Sequence, residues 1–209
     1  ARGETVAVYM PFFPYLEGER VVSREGAASL IRGLARSLVR WNRVPWFDLK
    51  VPLHIVPLIS DRYLPDADVV VSNHWPVASA VAALSPSKGR KFNFIRDTDP
   101  WSKKYSLELQ AFRLPLARIV VGSWLKDFLN DEMGLGVAGV VTNGTRTKDF
   151  EVERKQYHEP PVLTMIYADH PAKGMADGFA VLERVKVLHP EVCIQLFGWK
   201  TPPPLPFEA

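Results

Sequence analysis

The stretch VLTMIYADHPAKGMADGFAVLERVKVLHPEVCIQLFG, residues 162–198, decides the fold. An apolar run, VLTMIYA, stops at a polar turn carrying His170 and Lys173, and Gly174 precedes a helical pattern. From Met175 to Leu188 the apolar residues Met175, Phe179, Leu182, Val185 and Leu188 recur at helical spacing. Glu183, Arg184 and Lys186 occupy another face. A second apolar run, VCIQLFG, follows, and Cys193 within it reads as a buried filler. The order strand, helix, strand predicts a parallel pair. It places a lysine where the carboxyl end of a strand meets the amino end of a helix, the corner at which parallel α/β folds hold anions. The plainer alternative is a solvated loop lysine beside a packing glycine.

Moving toward the amino terminus, the same alternation recurs. TVAVYMP (5–11), VPLHIVPL (51–58), DADVVVSNHW (66–75), KFNFIRDTDPW (91–101), RIVVGS (118–123) and VAGVVTNGT (137–145) read as strands, the last broken by an Asn-Gly turn. Helical patterns lie between them: residues 26–41 with Leu30, Leu34 and Leu38, the alanine-rich PVASAVAALS, and YSLELQAFR, which Pro115 must end. WLKDFLNDEM is also helical, with Trp124, Leu125, Phe128 and Leu129 expected on its inner side. RTKDFEVERKQYHEPP, residues 146–161, is polar and closed by two prolines, a linker signature. The expected plan is therefore an α/β domain over 1–145, a hinge over 146–161 and a partial second domain over 162–209, ending in a proline-rich tail. One strand–helix–strand unit is too little to cover both faces of its sheet, so the second domain reads as incomplete.

Composition narrows the function classes. Hydrophobic residues at 47% and charged ones at 23% are ordinary for a soluble chain. A net charge of +3 suits phosphorylated ligands or an anionic membrane surface. Nucleic-acid binding is not expected, because no basic run with interleaved aromatics occurs. The single cysteine excludes an internal disulfide and a cysteine-rich metal site, and the five histidines are scattered. No apolar run is long enough to span a bilayer and no signal peptide is read at the start, so a reducing, cytoplasmic setting is expected. A nicotinamide-dependent oxidoreductase would need G-x-G-x-x-G after the first strand, where MPFFPYLEG stands instead.

Four segments, in order, carry a resemblance to a family: ADVVVSNHWPVASAVAAL, GRKFNFIRDTDPW, RLPLARIVVGSWLKDFLNDEMGLGVAGVVTNGTRTKDF and YADHPAKGMADGFAVLERVKVLHPEVCIQLFG. Together they resemble the retaining family-4 glycosyltransferases, whose GT-B architecture sets two Rossmann-like domains across a cleft. The resemblance implies transfer of a sugar from a nucleotide-sugar donor to an acceptor hydroxyl with retention, in glycan or cell-envelope polysaccharide synthesis. It implies no obligatory metal and no cofactor beyond the donor itself. The acceptor would be a glycan or a lipid-linked sugar, with peripheral contact at the inner face of the membrane.

The resemblance also assigns roles. Lys173 and Gly174 would meet the donor diphosphate, helped by His170, and Gly18 would stand in the loop after the first strand. Where the family commonly has an arginine five residues before the lysine, this chain has Ala168. Arg20 and Arg24 either meet an anionic acceptor or begin a helix with exposed charge. Where many members carry a cleft histidine, FIRDTDPW offers Asp97 and Asp99. These carboxylates either bind sugar hydroxyls and orient the acceptor nucleophile, or cap a turn. His74, Trp75 and Trp101 are further acceptor and sugar candidates, Trp75 with core packing as its alternative. Asn143 and Gly144 match the family's Asn-Gly at the hinge. The family's E-x7-E segment would lie beyond CIQLFG, so a chain ending at Ala209 is expected to be incomplete for activity. A non-catalytic or degenerate GT-B-like binding module is the other class.

Overall fold

The computed structural model describes residues 3–11, 49–151, 158–198, 200–202 and 204. The helix expected over residues 26–41, together with Gly18, Arg20 and Arg24, lies outside the described residues. The polypeptide divides into two compact units, Ala1–Asn143 and Gly144–Ala209. Among the described residues it is mixed α/β, and each sheet is parallel.

In the first unit β1 (Val8–Pro11) pairs in parallel with β2 (Leu53–Val56). A second sheet runs β3 (Val69–Ser72), β4 (Arg90–Ile95), β5 (Ala117–Val120) and β6 (Gly139–Val140), all parallel and in chain order. The intervening helices are α1 (Trp75–Ala82), α2 (Tyr105–Phe112) and α3 (Ser123–Asp127), the last continuing as a π-helical turn over Phe128–Glu132. Crossovers of one hand between sequential parallel strands put their helices on one face. That face holds Ser72, Asn93, Ile95 and Val120, all buried, against Ala78, Val81, Ala111, Phe112, Leu125 and Leu129. The opposite face of β3 carries Val69 and Val71, each about half exposed. Among the described residues β3 is thus an edge strand covered on one side.

Basic side chains satisfy several backbone carbonyls of the first unit. Lys91 Nζ donates to the carbonyls of Ala82, at 2.9 Å, and Leu84, which places a cation at the carboxyl end of α1. Buried Lys88 donates to Leu64 O at 2.7 Å and to Asp66 Oδ1 at 2.9 Å. Arg118 donates to Phe112 O at 2.6 Å and Leu114 O at 3.1 Å, closing the turn between α2 and β5.

In the second unit β7 (Val162–Tyr167) pairs in parallel with β8 (Cys193–Gly198), and α4 (Met175–Leu188) connects them. A Cβ at Gly178 would stand 2.6 Å from Met165 Sδ, which marks where α4 lies closest over the β7 side chains. Lys186 Nζ donates to Pro190 O at 3.0 Å and Val192 O at 3.3 Å beyond the helix end.

Four expectations are corrected. Trp124 does not face inward: it is 53% exposed, while Leu125 and Leu129, four apart, take the inner side. Leu188, at the last position of α4, is exposed rather than on the core face. Cys193 is exposed, because the register puts it with Ile166 and Phe197 on the face of β7–β8 away from the half-buried Met165, Ile194 and Leu196. Asn143-Gly144 forms no turn, and Gly144 does not adopt a positive φ. The strand there is only Gly139–Val140, so an extended loop, not a hairpin, carries the dipeptide onward. Among the described residues no helix is long and apolar enough to cross a membrane.

Candidate functional site

Parallel strands bring their carboxyl ends to one edge of the sheet, where loops carry side chains chosen for chemistry rather than packing. At the end of β3, His74 takes an extended conformation (φ −155°, ψ 135°) immediately before α1. Burial lowers its pKa, nearby Arg96 reinforces this, and Asp97 opposes it. The neighbouring Trp75 ring lies 6.1 Å from that of His74 and packs against both core clusters of the unit.

Beyond β4 the chain runs Arg96, Asp97, Thr98, Asp99, Pro100, Trp101. Asp97 is exposed and Asp99 half-buried, and Asp99 O accepts from Ser102 N at 2.9 Å as the chain turns toward α2. Trp101 stands 60% exposed on that turn. The sequence reading missed the residue that organises the loop. Glu108, on α2, is only 4% exposed, and its Oε2 accepts the Asp99 backbone N–H at 3.1 Å. Burial raises its pKa; the Asp99 amide opposes the rise, and the charges of Asp97 and Asp99 add to it. Its signal lay in YSLELQAF, where Glu108 shares helical spacing with Ala111 and Phe112, the other buried residues of α2.

The first unit therefore gathers His74, Asp97, Asp99 and Glu108 at one end of β3 and β4, close enough for charge to be felt among them. Burial shifts both His74 and Glu108 toward their neutral forms, a pattern found among groups that move protons. Among the described residues no group of three or more histidines, cysteines or carboxylates is arranged to hold a metal ion.

In the second unit the carboxyl end of β7 leads through Ala168, Asp169 and His170 into a single 3-10 turn, Pro171–Lys173. His170 Nδ1 accepts the Ala172 N–H at 3.3 Å, and Lys173 N donates to His170 O at 2.9 Å. Gly174 then adopts the left-handed conformation, φ 60° and ψ 36°, and starts α4. An added Cβ would meet only Asp177 Oδ2, at 3.8 Å, so backbone geometry rather than crowding calls for glycine. No side chain caps the helix, and Lys173, Gly174, Ala176 and Asp177 are exposed. Lys200, just after β8, pairs with Asp169 at 2.8 Å, and that carboxylate raises the lysine's pKa. The sequence reading did not single out Lys200, since only the parallel pairing of β7 and β8 returns it to this edge.

Asn143 and Gly144 are exposed where the two units divide. No protein-family model matches the chain, and no curated protein matches its sequence.

Proposed function

We propose that this protein is a retaining glycosyltransferase of GT-B architecture, moving a sugar from a nucleotide-sugar donor to an acceptor hydroxyl. The observation that carries the reading is the corner at Lys173 and Gly174: an exposed lysine and an uncapped helix start at the carboxyl end of a parallel strand. As the glycosidic bond breaks, negative charge builds on the leaving diphosphate. The Lys173 ammonium and the free N–H groups at the start of α4 favour that charge more in the transition state than in the bound donor. The acceptor oxygen bonds to the anomeric carbon on the face the diphosphate leaves, and the hydroxyl proton passes to a leaving phosphate oxygen. The resemblance to the family implies no obligatory metal for this step.

In this reading Asp97 and Asp99 orient the acceptor, with Glu108 positioning their loop through the Asp99 N–H. The setting proposed is glycan or cell-envelope polysaccharide synthesis in the cytoplasm, at the inner membrane face when the acceptor is lipid-linked. Titration with uridine or thymidine diphosphate tests the donor half. Micromolar binding that falls at least about tenfold in Lys173→Ala, roughly 1.4 kcal/mol, is the expected result. The absence of an arginine at Ala168 keeps a non-catalytic module as the second reading. Binding of free sugar with no response to nucleotide would select that module and sink the transferase.

A further inference from the structure

A cleft of ≈ 460 Å³ opens in the first unit beside the β4 loop, between that loop and α3. Its apolar walls are Pro100, Tyr105, Trp124 and Phe128, and its acidic rim is Asp127, Asp131 and Glu132. The volume falls in the range of small-molecule sites, roughly 300–1,000 Å³. Trp124 and Phe128 lie one turn apart on α3 and its continuation, with Asp127 and Asp131 on the same stripe. Leu125 and Leu129 carry the core packing and half-buried Phe128 borders it, while exposed Trp124, with Asp127 and Asp131 on its stripe, lines the concavity. Gly122 supports the arrangement: a Cβ there would stand 3.0 Å from Trp124 Cδ1, so the indole lies against bare backbone. Among the described residues no lysine, arginine or histidine lines the cleft.

The geometry points to a binding site for a saccharide that carries a free amino group. Flat aromatic faces receive the C–H face of a sugar ring and attract a cation. Carboxylates accept from hydroxyls and from an ammonium by charge-assisted hydrogen bonds. The acidic rim disfavours phosphorylated or uronic ligands at this position, because none of the described lining residues neutralises a second negative charge. The site's role as the hold on the acceptor rests on the proposed transfer reaction; the binding itself does not.

The test is calorimetric titration of the full chain at pH 6 with a glucosamine tetrasaccharide bearing free amines and with its N-acetylated counterpart. The free-amine sugar is expected to bind at least about tenfold more tightly, and less so as salt is raised. Trp124→Ala weakens both sugars, and Gly122→Ala, which crowds the indole, does so without removing it. Asp127→Asn with Asp131→Asn abolishes the preference for the amine. Equal affinity for the two sugars, no binding of either, or affinity untouched by Trp124→Ala overturns the proposal. A wild-type chain that ignores nucleoside diphosphates yet keeps the amine preference sinks the transfer reading alone.

Discussion

Glu108 sits among apolar neighbours on α2 with its carboxyl tied to the Asp99 amide. Because burial first of all raises its pKa above the unfolded value, its contribution to stability is complete below the ordinary carboxylate range. That contribution is lost as pH rises through the folded-state value. Glutamine keeps an acceptor for the Asp99 N–H and does not titrate. The Glu108→Gln chain should therefore gain on wild type as pH rises from the ordinary carboxylate range toward neutral, as thermal midpoints at each pH will read. A constant difference across that range would show that the carboxyl does not titrate there. Gly174 makes the second residue-scale prediction. Its left-handed backbone costs an L side chain about 1–2 kcal/mol, so Gly174→Ala should lower the second unit's stability by that amount in denaturant titration. Gly174→Asn should lose less, since asparagine visits that region more readily.

At the scale of elements, register and phase decide which side chains serve structure. On α3, Leu125 and Leu129 are fully buried while Trp124, one residue earlier, points to solvent. Leu125→Ala should cost about 2–5 kcal/mol by emptying the core beneath α3. Trp124→Ala should stay within about 0.5 kcal/mol of wild type in the same unfolding measurement. The reverse ranking would put the indole in the core after all. On β8, alternation sends Cys193 outward and Ile194 toward α4, although both lie in one apolar run. The run alone named a strand without naming its inner face, since among the described residues of the second unit only one side of β7–β8 meets a helix.

At the scale of the molecule, the two units are very unequal in core. The first holds two buried clusters under α1, α2 and α3, whereas the second buries only Leu182 and Val192 among its described hydrophobic residues. Local opening free energies follow buried apolar contact. Amides of β4 and β5 should accordingly exchange with deuterium at least about tenfold more slowly than those of β7 and α4. Equal protection in both units would contradict this distribution of stability.

The alternation of apolar runs with helical stripes determined the parallel α/β plan, and helical spacing placed α4 over Met175–Leu188. It also placed Lys173 and Gly174 at a strand-to-helix corner, because that corner is built from consecutive residues. Tertiary structure alone decided that Trp124 and Cys193 face outward, that Glu108 reaches the Asp99 amide, and that Lys200 returns to Asp169. Periodicity is a property of neighbours in the chain, and it carries no record of which sheet face is covered. Contacts such as Asp169 with Lys200 exist only once distant strands have paired.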